Sequence, residues 1–365
     1  MLSKHRKKRV SRHAWAFALV VGPLSNRLPL THHRNVSISA VACVDAPHRV
    51  PSAELTAPIA ARFGMPGDFL EAVTGIVARR FWEPEERPSA TAARAGREAI
   101  ARSGVDPTEI GVVVSTSVSK DYVEPADACF VHHALGLSER CLNFDLGNAC
   151  LAFLNGMDVV AQMIDAGQID HGLVVVGESS RHVVEQTVAR FANGRGDEAT
   201  LRDEIATLTL GSGAAAMMLS HSRHAPEGHA FLGTVTRANT AHNQLCLGHV
   251  DRGVTDTHGL MEHGVALAKR TWAAATSELG WTIDSVDLFA LHQVSGPHTE
   301  ELARVVGFDV DRAFPIYPEH GNIGPASIPI VLAKAQAESA LNAGDRVVLG
   351  GIGSGLNCCV GAVVW

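Results

Sequence analysis

Cys150 lies in the run NFDLGNACLAFLN at 143–155, where a short apolar stretch reaches Gly147 and a helix-period pattern continues to Gly167. Asn148 is a residue type that caps helix starts, so the spacing predicts a thiol on the first turn of a helix. Unpaired backbone amides at such a terminus favour negative charge. A sulfur there is expected to ionise more readily than a free cysteine and to act as a nucleophile. The helix carries Leu151, Phe153, Leu154, Met157, Val160 and Ile164, with only Asp158 and Asp165 charged. A helix that apolar is buried on most sides, which sets the thiol at the floor of a pocket.

Two more segments place reactive side chains at the ends of core elements. VDLFALHQ at 286–293 reads as a buried strand ending in His292, and EHGNIGPAS at 319–327 reads as a Gly-rich turn carrying Asn322 into a helix. Taken singly, each residue has a plain structural reading. A lone cysteine packs as a small hydrophobe, a histidine can be satisfied in a core, and asparagine suits a turn.

Taken together and in order, the motifs DYVEP (121–125), NACLAF (148–153), LHQV (291–294), HGNIGPAS (320–327) and GIGSGLN (351–357) resemble the thiolase superfamily. Within it the chain is most similar to the ketoacyl synthase III branch, and there to the OleA-type enzymes that join two acyl-CoA molecules head to head. The resemblance runs over about residues 35–365. It implies that Cys150 takes an acyl group from a thioester, while His292 and Asn322 hold the enolate oxygen of a second thioester. The backbone amides of Cys150 and Ser354 are the implied oxyanion donors, since small residues around Ser354 let the chain approach a ligand. Glu124 is the implied base. Decarboxylating synthases obtain a carbanion by losing CO2, whereas a plain acyl-CoA must give up an α-proton, and in OleA-type enzymes a glutamate from the neighbouring subunit reaches in to take it.

The implied reaction is a non-decarboxylative Claisen condensation of two fatty acyl-CoAs to a 2-alkyl-3-oxoalkanoic acid, which feeds long-chain olefin or β-lactone synthesis. Coenzyme A enters as part of the substrates, and no other cofactor or metal is implied. The partners expected are acyl-CoAs, a second copy of the chain in a homodimer, or a related chain in a heterodimer, with downstream pathway enzymes. Two other readings stay open: a decarboxylating 3-oxoacyl-ACP synthase III, which needs no Glu124, and a mainly structural subunit that donates Glu124 to another chain. Arg252 falls between pairing with a CoA phosphate and pairing with Asp251 or Asp256 in its own loop.

The composition fits such an enzyme. With 365 residues, 46% hydrophobic and 19% charged, the chain can bury a large core, and a net charge of −7 argues against nucleic acid as a partner. Seven cysteines at scattered positions have neither disulfide-framework nor CxxC spacing, so a reducing cytoplasm is expected. No HExxH or Cys/His cluster points to zinc. Residues 1–34 stand apart: Lys4 to Arg12 are basic and 14–24 apolar, like a secretory leader, but no small-x-small cleavage site follows. They read as an extension, or as translation from an upstream start. No apolar run beyond them reaches membrane-spanning length.

The remainder repeats itself once. AGQIDHGLVVVG (166–177) and LGSGAAAMML (210–219) in the first half match AGDRVVLG (343–350) and GSGLNCCVGAVVW (353–365) in the second. The pattern predicts an α/β thiolase fold, five layers αβαβα, with two central helices between two sheets. The halves are 35–220 and 221–365, with a charged lid or dimer insertion at 178–209. The equivalent central helices then bring Cys150 and Asn322 into one pocket.

Overall fold

The computed structural model describes residues 30–365, so most of the extension expected over 1–34 lies outside the described residues. The chain joins the fold before residue 35. Leu30–His32 forms strand β1, and the buried His33 ring lies 3.0 Å from Asp158 and 3.2 Å from Asp165.

The remaining strands of the main sheet are β2 (Val36–Asp45), β3 (Ile110–Ser115), β4 (Leu142–Asp145), β5 (His171–Glu178), β6 (Gly213–His221), β7 (His229–Ala238), β8 (Leu288–Leu291), β9 (Arg346–Gly353) and β10 (Asn357–Val364). Several are unbroken runs of Val, Ala, Leu or Met, as strands covered on both faces must be. All eight residues of β5 are buried.

The two halves have the same pairing plan. In the first, β2 is antiparallel to β6, β6 to β5, and β5, β3 and β4 run parallel. In the second, β7 is antiparallel to β10, β10 to β9, and β9 runs parallel to β8, which bridges in parallel to Ala313. One difference from the expected pair of sheets emerges. The half-sheets join edge to edge through Ser37 with Ala230 and Ile38 with His229, making a single ten-stranded sheet.

Three apolar layers hold the five structural layers together. The central helices, α3 (Ala152–Asp165) and α6 (Ser327–Ala337), pack between both half-sheets through Phe153, Met157, Ile330 and Leu332. Outside the first half-sheet lie α1 (Pro88–Ser103) and α2 (Asp127–Leu135); outside the second lie α4 (Thr257–Leu279) and α5 (Gly296–Val306). Burying a large aliphatic or aromatic side chain contributes about 1.5–3 kcal/mol, so the two central helices are anchored by many such terms. Residues 181–209 fold as helices Arg181–Ala192 and Glu198–Glu204 and a turn, with a separate small apolar cluster around Phe191, Leu201 and Leu208. Among the described residues no helix is long and apolar enough to cross a membrane.

Candidate active site

The helix carrying Cys150 starts later than its sequence pattern suggests. Ala149–Leu151 forms a single 3-10 turn, and regular helix begins at Ala152. Asn148 does not cap it through its side chain. Its Nδ2 donates instead to Asn155 Oδ1 at 2.7 Å, and its Oδ1 accepts from Asn357 Nδ2 at 3.1 Å, which ties the cysteine turn to the start of β10. Ala149 has φ 46°, a left-handed conformation that a residue with a Cβ rarely adopts. The strained residue directly precedes the thiol.

The glycines of β9 close in from the other side. A Cβ at Gly353 would lie 3.2 Å from the Leu151 side chain and 3.5 Å from the Asn148 carbonyl oxygen. One at Gly351 would lie 2.8 Å from His292 Cβ. Only glycine lets the strand approach both the cysteine turn and the histidine so closely. Ser354 follows at once, half-buried in the turn between β9 and β10.

His292 directly follows β8, and its backbone N–H donates to Gly350 O at 2.8 Å. The ring is buried, and its Nδ1 lies 3.1 Å from Gly324 O. A carbonyl only accepts, so Nδ1 carries the proton and Nε2 of the neutral ring presents a lone pair. Burial pushes the imidazole pKa down to about 3, with the nearby His298 adding to the effect. Gln293 fixes the neighbouring chain: Nε2 donates to Phe314 O, while Oε1 accepts from the Ile316 and Tyr317 amides.

Asn322 sits in the turn before α6. Its backbone is clamped by N–H to Thr209 O and by Gly211 N–H to its own carbonyl, both at 2.9 Å. Its Oδ1 accepts from Gly324 N–H at 3.0 Å, and Nδ2 has no partner among the described residues. Gly324 therefore bonds to both side chains, accepting from His292 and donating to Asn322.

The electrostatics of the thiol differ from the sequence expectation. Burial pushes Cys150 up to about 12, and Cys246 and Glu178 nearby raise it further, outweighing the stabilisation from its own backbone amide. A first-turn position is worth about 0.3–1 kcal/mol to a negative charge. A rise from 9.0 to about 12 corresponds to about 4 kcal/mol, so desolvation dominates.

Glu124 is not brought to this cluster within the chain. It stands exposed on the loop between β3 and α2, next to Tyr122 and Val123, which are also exposed. Arg252 pairs with neither acidic residue of its own loop; its Nε donates to Glu204 at 2.8 Å, and Glu204 also pairs with Arg190. Among the described residues no group of three acidic, histidine or cysteine side chains could hold a metal. A small apolar cavity of roughly 30 Å3, lined by Phe289, Leu291, Phe308, Gly351 and Ile352 among others, lies between β9 and the outer helices α4 and α5.

One residue escaped the sequence reading. Glu178, the last of β5, is buried, and its carboxylate accepts from Val118 N–H at 2.6 Å, Ser119 N–H at 3.3 Å and Ser119 Oγ at 2.9 Å. Burial pushes it up to about 7. A carboxylate two residues after a run of three valines was the signal available.

The chain as a whole is similar to known proteins. The 3-oxoacyl-[acyl-carrier-protein] synthase III family matches residues 144–240, and its C-terminal family matches residues 276–365. The acyl-CoA:acyl-CoA alkyltransferase of Xanthomonas campestris is 45% identical over 91% of this chain and 99% of its own length, and that of Shewanella oneidensis 35% identical over the same shares. A crystal structure of X. campestris OleA superposes with a TM-score of 0.90 at 44% identity, covering 92% of this chain and 98% of that one. Another, a Cys-to-Ser variant with bound lauric acid and lauroyl-CoA, gives 0.89 at 45% identity over 91% and 100%. The chain thus belongs to the OleA-type branch of the ketoacyl synthase III family, within the thiolase superfamily.

Proposed function

We propose that this protein is an acyltransferase that condenses two fatty acyl-CoA molecules, without decarboxylation, into a 2-alkyl-3-oxoalkanoic acid. Cys150 Sγ attacks the first thioester, and His292 Nε2 takes the thiol proton as the bond forms. This answers the high proton affinity of the free thiol, because attack and proton transfer proceed together and no buried thiolate has to persist. CoA departs as a thiolate and is protonated by solvent. Nε2–H is then a donor, and with Asn322 Nδ2 it holds the enolate oxygen of the second acyl-CoA.

Glu124 of a partner subunit removes the α-proton and later returns it to solvent, which balances the proton taken up by the departing CoA thiolate. The enolate carbon attacks the acyl-cysteine carbonyl, whose oxygen the Cys150 and Ser354 amides hold, and Cys150 leaves as it regains its proton from His292. Water then cleaves the remaining thioester to release the acid and the second CoA. Coenzyme A is present only as part of the substrates.

Glu124 is the observation that carries the choice of reaction. It is exposed on a loop that also exposes Val118, Tyr122 and Val123, and exposed Leu142 lies on β4, the strand at one end of the sheet, with no further strand paired to it among the described residues. Exposed apolar side chains and an open strand edge support a second copy of the chain as their occupant. We take 35–220 and 221–365 as the two halves, with the insertion expected at 178–209 starting only after Glu178, the last residue of β5, and the cytoplasm as the site of action, where the free cysteines stay reduced.

Mass spectrometry of the products tests the proposal. Acyl-CoA alone should yield the 2-alkyl-3-oxoalkanoic acid. Product only on addition of malonyl carrier protein would replace this reading with the decarboxylating one, the activity named for 28% identical relatives such as that of Rhizorhabdus wittichii.

A further inference from the structure

Glu178 lies between two parts of the proposed machinery. Its three accepted hydrogen bonds come from Val118 and Ser119, at the root of the loop that bears Glu124. On its other side a Cβ at Gly324 would lie 3.8 Å from the Glu178 carboxyl carbon, and Gly324 is the residue that fixes both His292 and Asn322. Its backbone is pinned as well, since Trp82 Nε1 donates to Glu178 O at 2.9 Å. Lys120 and Cys150 are the titratable groups whose charges bear on it or feel it.

We propose that Glu178 is a positioning residue that couples the two half-reactions, holding the loop that carries Glu124 to the partner's site while lying against the turn that holds His292 and Asn322 in its own. This rests on the assignment of Glu124 as a base acting across a dimer. The carboxylate suits the task because one oxygen faces the Val118 N–H and the other the Ser119 N–H, both donors only, while the Ser119 Oγ–H is shared with Ser179 O. A carboxamide in its place would set its Nε2–H2 against the N–H of either Val118 or Ser119 and lose the acceptor on that side. The ionised carboxylate also places negative charge near Cys150, which adds to the larger effect of burial in raising the thiol pKa.

Mixed dimers separate the two effects. A control pair combines a Cys150→Ser chain with a Glu124→Gln chain, leaving one complete site made from the second chain's Cys150 and the first chain's Glu124. Adding Glu178→Gln to the Cys150→Ser chain should lower condensation on the order of tenfold or more, through a misplaced base, while acylation of the intact Cys150 proceeds at the control rate. That acylation also reports that the dimer is folded. Adding Glu178→Gln to the other chain instead should speed alkylation of Cys150 by iodoacetamide at mildly alkaline pH, because a neighbouring negative charge is gone. Glu178→Asp, which keeps the charge but shortens the reach, should leave alkylation at the native rate and still lower condensation when placed on the loop donor. Equal condensation with and without Glu178→Gln on the loop donor overturns the inference while leaving Glu124 in place. An inactive control pair overturns the cross-subunit role of Glu124, and the inference with it.

Discussion

His292 donates its Nδ1 proton to the carbonyl oxygen of Gly324, 3.1 Å away. That single contact fixes the tautomer and makes the histidine an acceptor in the free enzyme, so its role as an enolate donor begins only after it has taken a proton. Cys150 is the group with a proton to give.

A split between His292 and Asn322 follows. His292→Ala should slow acylation of Cys150 as well as condensation, because the thiol loses its acceptor. Asn322→Ala should acylate at close to the native rate and lose on the order of a hundredfold in condensation, the usual cost of one oxyanion donor. Single-turnover mass spectrometry with one acyl-CoA, followed by addition of the second, reads the two steps separately. Native acylation by His292→Ala would remove the proton transfer from the scheme.

The thiol itself gives a second test. With Cys150 pushed up to about 12, the free site is protonated at neutral pH, and its alkylation rate should keep rising with pH through about 10 with no plateau. Replacing the other cysteines leaves Cys150 alone to report. A plateau near neutrality would mean that the helix terminus, not burial, governs the sulfur.

That contrast marks where sequence reading stops. Apolar periodicity predicted core elements beside Cys150 and His292, and a Gly-rich turn predicted the setting of Asn322; because these patterns are local, the structure has Cys150 in the turn before α3, His292 directly after β8 and Asn322 before α6. Whether a thiol is ionised depends on how much protein surrounds it, which no local pattern encodes. Two-residue pairing of Ser37–Ile38 with His229–Ala230, and the Arg252–Glu204 contact across 48 positions, likewise arise only when distant segments meet. Glu178 was legible as a charge ending an apolar strand, but its partners Val118 and Ser119 lie 60 and 59 positions away.

Buried histidines should make stability fall on acidification. His298 is buried with Nδ1 unpartnered, and burial pushes it down to about 4. The unfolded chain, near 6.5, then binds the proton first, so stability is present above that value and is lost as pH falls toward about 4. At about pH 5 the loss is about 2 kcal/mol. His298→Leu removes both the titration and the unpartnered nitrogen, and its unfolding free energy, measured in urea at fixed protein concentration, should fall by that much less than the native protein's between about pH 7.5 and about pH 5. Parallel losses in the two proteins would show that His298 does not titrate on unfolding. Glu178 works in the opposite sense: its raised pKa contributes stability at low pH that is lost as pH rises through about 7, so the native profile is the sum of the two.

Glu124 decides between condensation and decarboxylation. An α-proton of a thioester is removed only by a positioned base, and Glu124→Gln preserves size and hydrogen bonding while taking away the ability to accept it. The variant should acylate Cys150 normally, fail to exchange the α-hydrogen of bound acyl-CoA with deuterated solvent, and form no product. Since Glu124 stands exposed on its own chain, the missing group can come from a partner. Mixing Glu124→Gln with Cys150→Ser chains should therefore restore up to about half the normal complement of sites within each mixed dimer, one per pair. Full condensation by the Glu124→Gln homodimer would take the base role away from this residue, and no recovery on mixing would place whatever base acts there within the same chain as Cys150.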